Sequence, residues 1–268
     1  MRLADGRRLV YLEVGDPDGT PVIHHHGGLS SALDVVPAAG AATAAGVRII
    51  APNRPGVGRS DLQPGRTTAG WAADVAELAD HLGIDRFGVL GWSLGGAFAQ
   101  STAVGLAERV TGLVLVASTI PPTWAGADRE LNRMDRLFLG LHQRGAKIDR
   151  TLFRTMRLMA RRAPGVLART SHLPPDDADV LAAAIAEGLR HAHGVIGEYA
   201  CMAAPWGFEP SAITCPTHVW QGDADDLVPP SWGARLADAI PDATLHPVPG
   251  GTHFVAYGRW DQVLASFV

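Results

Sequence analysis

The chain has 268 residues, is 47% hydrophobic and 19% charged, and carries a formal net charge of −4. That apolar content can bury the core of one globular domain with room for an insertion, and it excludes a disordered chain. The slight acidity gives no global electrostatic basis for binding nucleic acid or an anionic membrane.

The opening MRLADGRRLVYLEVG has no apolar run before a small-residue cleavage site, and no stretch approaches the ~18 consecutive apolar residues of a membrane span, so a cytoplasmic protein is expected. Two cysteines, Cys201 and Cys215, are too few for a disulfide framework. Lys147 is the sole lysine, and the basic charge is otherwise arginine.

In chain order, RLVYLEVG and PVIHHH read as strands around the turn DPDGT, followed by the strand-like VRIIAP, RFGVLGW, VTGLVLVAS, THVWQG and TLHPV. Helical spacing fills the intervals, as in TTAGWAADVAELADHLG, LGGAFAQSTAVGLAERV and SWGARLADAI. Strands alternating with helices predict an α/β fold with a mostly parallel sheet covered on both faces. The alternation stops after Ser118: residues 121–205 carry only helical patterns, so they are expected to form a helical insertion between core segments 1–120 and 206–268.

VLGWSLGG contains G-x-S-x-G as Gly91, Trp92, Ser93, Leu94 and Gly95, at the end of an apolar strand and the start of a helix. A serine on that sharp turn is forced outward, and small residues two before and two after it let strand and helix approach. The helix N-terminus adds free N–H groups and a dipole that favours negative charge. A serine hydroxyl needs a base, and the base needs a third group to fix its tautomer. His253, in the Gly-rich loop PGGTHFVAYG after a strand, is the expected base; His246 lies inside the strand pattern and reads as a packing residue. The acid belongs upstream of the base, where QGDADDLVPP offers Asp223, Asp225 and Asp226.

With these motifs in place, nearly the whole chain resembles the α/β-hydrolase fold family. The resemblance implies a sheet of the eight-stranded type, helices on both faces and an inserted helical cap. It aligns Gly222, Asp225 and Val228-Pro229 with the family's G-x-x-D-x-x-V-P pattern, which implies Asp225 as the acid. PNRPGVGRSD resembles its R-x-G-x-G-S scaffold loop, built here from Arg54, Gly56, Gly58 and Ser60.

Three consecutive histidines, His24 to His26, suggest a metal site. Consecutive strand residues point to opposite faces, however, and no H-E-x-x-H or Cys cluster supplies partners, so no metal is expected. His26, Gly27 and Gly28 instead resemble the family's H-G-G loop, which implies that the N–H groups of Gly28 and Leu94 form an oxyanion hole, each donor being worth about 3 to 4 kcal/mol in comparable enzymes.

The expected activity is hydrolysis of an ester, lactone or related carbonyl substrate by Ser93, His253 and Asp225 through an acyl-enzyme, with no cofactor. A non-hydrolytic enzyme catalysing elimination, cyclisation or C–C cleavage is an alternative, as is a binding protein with a slow triad. Trp92, Leu29, Met134 and Phe138 are expected on the substrate wall, and Leu137, Leu141, Phe153, Met156 and Met159 either share that wall or pack the cap helices. From Arg129 to Arg169, eleven basic residues stand against three acidic ones. This face is either solvated or a docking surface for an acidic carrier protein or anionic substrate. The expected partner is a small molecule, not nucleic acid or a membrane; a carrier protein and a homodimer are the protein partners left open.

Overall fold

The computed structural model describes residues 1–144, 146–163, 166 and 171–268, with the side chains at 139, 141–144 and 146–150 excluded. The strands are β1 (Tyr11–Gly15), β2 (Thr20–His25), β3 (Val47–Pro52), β4 (Phe87–Trp92), β5 (Val110–Val116), β6 (Thr217–Gly222) and β7 (Ala243–Val248). They form one sheet in the order β1-β3-β2-β4-β5-β6-β7, parallel except for β1, which runs antiparallel to β3. Among the described residues the sheet has seven strands, one fewer than the full eight-stranded type. Residues before β1 contribute only an isolated antiparallel bridge, Arg2 to Arg8, because the chain reverses there in a tight turn in which Gly6 N–H donates to Leu3 C=O.

The central strands are apolar on both faces, as strands buried between two helical layers must be. Ile23, Ile50, Val89, Leu113 and Leu115 face one core with α2 (Trp71–His81), α3 (Gly95–Gly105) and α9 (Pro230–Ala239). Their neighbours Val22, Ile49, Leu90, Val114 and Val116 face the other, with α1 (Ala39–Ala44) and α10 (Trp260–Leu264). Alternate residues thus serve opposite layers.

Between β5 and β6 the chain forms α4 (Ala127–Glu130), α5 (Arg133–Arg144), α6 (Ala146–Arg162), α7 (Pro175–Gly188) and α8 (Ala192–Ala203). Phe138, Phe153, Leu189, Val195 and Tyr199 give these helices a small apolar cluster of their own. The insertion is also tied to the sheet domain by a buried ion pair. Arg54, fully buried at the end of β3, donates from Nε to Glu198 Oε1 on α8 at 2.5 Å and from Nη2 to Oε2 at 2.9 Å. No described helix is long and apolar enough to cross a membrane.

Candidate active site

Four loops meet at the carboxyl ends of the parallel strands, where an open α/β sheet presents its crevice. After β4 the backbone turns so sharply into α3 that Ser93 adopts φ 55°, a left-handed conformation costly for a residue with a Cβ. The strain is held by hydrogen bonds from Ser93 N–H to Val116 C=O (2.9 Å) and from Gly96 N–H to Ser93 C=O (2.9 Å). Two glycines are obligatory here: a Cβ on Gly95 would lie 2.1 Å from His25 O, and one on Gly96 would lie 1.9 Å from Ser118 Oγ.

After β6 comes Asp225 and after β7 comes His253, both buried. His253 Nδ1 lies 3.0 Å from Asp225 Oδ2, while Asp225 Oδ1 accepts the N–H groups of Leu227 (2.9 Å) and Val228 (2.8 Å). The carboxylate is held as an acceptor, which places the imidazole proton on Nδ1 and leaves Nε2 with its lone pair. Asp223 and Asp226 are exposed. Asp223 Oδ1 accepts Gly250 N–H and so braces the acid loop against the histidine loop. His246 is remote from this assembly, stacked on Trp220 at 4.4 Å and bonded to His218.

Ser93, His253, Gly28, Leu94, Leu29, Trp92 and Met134 all line one cavity of about 280 Å³. Among the described residues, no hydrogen bond joins Ser93 Oγ to His253; catalytic hydrogen bonds of this kind are often long and tighten only around a bound substrate. Among the described residues, no hydrogen bond to protein is made by the N–H of Gly28 or of Leu94. Trp92 lines the cavity and also braces the His253 loop, its Nε1 donating to His253 C=O at 3.1 Å.

Phe138 departs from expectation. It is buried 5.5 Å from the Phe153 ring and 5.2 Å from that of Tyr199, and it does not line the cavity. The insertion needs an apolar centre of its own, and Phe138 and Phe153 supply it. Met156 lines the cavity, whereas Leu137 and Met159 are exposed. The side chain of Leu141 and all of Arg169 lie outside the described residues, as do the side chains of Arg144, Lys147 and Arg150.

The three histidines diverge. His24 Nε2 pairs with Asp34 (2.8 Å), whose other oxygen accepts Gly27 N–H. His25 Nδ1 accepts the Trp71 indole N–H (3.1 Å), so its Nε2 faces Thr102 Oγ1 (3.2 Å) as the protonated nitrogen. His26 packs against Arg54, which donates from Nη1 to His26 C=O (2.7 Å) and from Nη2 to Gly27 C=O (3.2 Å). Burial first, then the Arg54 charge, holds the His26 imidazole down at about 4; His25 is held well below the usual imidazole range for the same reasons. Both rings are neutral supports of the loop that ends at Gly28.

Sequence reasoning missed five polar residues on the cavity wall, Ser30, Thr119, Asn132, Asp135 and Tyr199, of which the last three form one hydrogen-bonded group. A signal for Asn132 was present, since Asn followed by Asp three residues later marks a helix start; Asn132 Oδ1 indeed accepts the N–H groups of Met134 and Asp135. That this helix start faces the cavity follows from tertiary packing alone.

A family model described as alpha/beta hydrolase fold matches residues 20–258. A protein of Variovorax paradoxus whose assigned name is carbamate hydrolase RutD is 31% identical over 89% of this chain and 86% of its own length. A pimeloyl-[acyl-carrier protein] methyl ester esterase of Chromobacterium violaceum is 30% identical over 74% of each chain. The crystal structure of a hydrolase from Pseudomonas aeruginosa superposes with a TM-score of 0.74 at 22% identity, over 100% of this chain and 96% of that one. On the family match and the seven-stranded, mostly parallel sheet, this chain belongs to the alpha/beta hydrolase fold family.

Proposed function

We propose that the protein is a serine hydrolase that cleaves an ester, lactone or related carbonyl substrate with a largely apolar body. The observation that carries this reading is the strained Ser93, held outward on the same cavity wall as a histidine whose Nδ1 is fixed by a buried carboxylate. A relative named as a methyl ester esterase supports the same class of chemistry.

His253 Nε2 takes the Ser93 proton as Oγ attacks the carbonyl carbon, and Asp225 stabilises the imidazolium that forms. Negative charge moves to the former carbonyl oxygen, where the unpaired N–H groups of Gly28 and Leu94, beside the positive end of α3, stabilise it. His253 returns the proton to the departing alkoxide. Water, activated by the same imidazole, then releases the acyl group from Ser93. The helices between β5 and β6 act as a cap over the site, and Met134 and Met156 from them line the cavity.

The test is steady-state hydrolysis of p-nitrophenyl butyrate by wild type and Ser93→Ala. Removal of the nucleophile is expected to lower kcat by about 10⁴- to 10⁶-fold with an unchanged melting temperature. Ester turnover retained by Ser93→Ala within about tenfold refutes the assignment.

A further inference from the structure

The cavity wall supplied by the inserted helices carries a carboxyl that acyl transfer does not use. Asp135, in the first turn of α5, accepts a hydrogen bond from Tyr199 OH at Oδ1 (2.9 Å) and from Asn132 Nδ2 at Oδ2 (2.7 Å). Both donors are neutral. Among the described residues, no arginine or lysine comes within ion-pair distance of it. It shares the cavity lining with the apolar Leu29, Met134, Met156 and Met202. Burial pushes the carboxyl above the usual carboxylate range, opposed by the two hydrogen bonds and by His253 across the cavity.

A staple between α5 and α8 would need only an acceptor, which an amide oxygen provides without the penalty of desolvating a charge. Two accepted hydrogen bonds also leave lone pairs unused on the carboxylate. Among the described residues, Asp135 is the only carboxyl lining the cavity that holds Ser93 and His253.

We propose that Asp135 determines specificity: it binds a hydrogen-bond donor, a protonated amine or a hydroxyl, on the part of the substrate remote from the scissile carbonyl. The inference rests on the hydrolase reading above and narrows its substrate to a mostly apolar molecule with one distal polar donor. Tyr199 and Asn132 orient the carboxyl, and its partly buried position on a largely apolar wall reduces the competition from water.

The experiment compares p-nitrophenyl esters of six- and eight-carbon acids ending in an ammonium, a hydroxyl or a methyl group, hydrolysed by wild type, Asp135→Asn and Tyr199→Phe. Wild type is expected to favour at least one donor-ended ester over its methyl-ended partner by about 10- to 100-fold in kcat/KM. Asp135→Asn is expected to bring the ratio of ammonium- to methyl-ended kcat/KM close to one, while Tyr199→Phe, which keeps the carboxyl but loses one of the two bonds that orient it, retains a smaller preference. A structural role would change both esters alike and leave the ratio intact. The ammonium and hydroxyl arms show whether charge or hydrogen bonding dominates, and a preference in either supports the proposal. No preference in wild type, or the same preference in Asp135→Asn, overturns it. Melting temperatures confirm folding; should Asp135→Asn not fold, Asp135→Ser takes its place. If no ester is turned over, the hydrolase reading fails by itself. Calorimetric binding of methyl 6-aminohexanoate to wild type, lost in Asp135→Asn, then still supports the role of Asp135, and equal binding overturns it.

Discussion

Glu198→Gln removes the negative half of the buried pair that ties α8 to Arg54. In the folded protein, burial alone would raise the Glu198 carboxyl, yet the Arg54 charge and hydrogen bonds, aided by His26 and Arg66, pull it down to about 2 from an ordinary 4.5. That depression corresponds to about 3 kcal/mol of stability, at 1.36 kcal/mol per pH unit. The contribution is complete above about pH 4.5 and is lost as pH falls towards about 2, because the unfolded chain takes up the proton first. Glutamine keeps an acceptor for Arg54 but leaves the buried guanidinium without a counter-charge, which costs about 3 to 5 kcal/mol in comparable sites. Urea denaturation at pH 7, followed by tryptophan fluorescence, should therefore show a destabilisation of about 3 kcal/mol or more. Ester turnover should fall as well, because the same guanidinium holds the carbonyls of His26 and Gly27 just before the proposed oxyanion donor. A change below about 1 kcal/mol with full activity refutes the argument that this pair anchors the insertion and the loop.

Gly95→Ala forces a methyl group against the carbonyls of His25 and His26, at 2.1 and 2.4 Å. It is expected to cost about 3 kcal/mol in urea unfolding and about 100-fold in ester turnover, because backbone on both sides must move. Gly40→Ala is the contrast: in α1, with nothing within 4 Å of the new Cβ, it should raise stability by about 0.5 to 1 kcal/mol in the same assay. His26 is held at about 4 in the folded state against an ordinary 6.5, so the unfolded chain binds the extra proton between those values. His26 should contribute a loss of about 3 kcal/mol of stability as pH falls from about 6.5 to about 4, in addition to the contribution of His25, and His26→Gln should make the slope shallower.

The sheet was legible because a strand covered on both faces has to be a short, continuous apolar run, and all seven runs in the sequence became strands. The serine turn, the acid loop and the histidine loop were legible for a related reason: each lies directly after such a strand, so chain order fixed which end of the sheet they share. The inserted helices were legible as helices only. Met134 and Phe138 are four residues apart on one face of α5, yet the first reaches the cavity and the second packs on Phe153 and Tyr199. Periodicity says which residues share a face and nothing about which neighbour covers it. Asp135 stayed hidden because a single acid in a stretch of arginines reads as a solvated charge; only the packing of α5 on α8 and on the Leu227 loop turns it inward. The histidine run showed the opposite effect, a conspicuous pattern whose three rings serve three separate buried partners.

The claim that Ser93 is the nucleophile of a working triad is tested most directly by covalent trapping. After reaction with a fluorophosphonate, intact-mass and peptide analysis should find one stoichiometric adduct, located on Ser93, in wild type and none in Ser93→Ala. His253→Ala should slow its formation by at least about 100-fold, since the base that activates the hydroxyl is gone. No adduct on the wild-type protein, an adduct at another residue, or labelling that proceeds at the same rate without His253 contradicts the account.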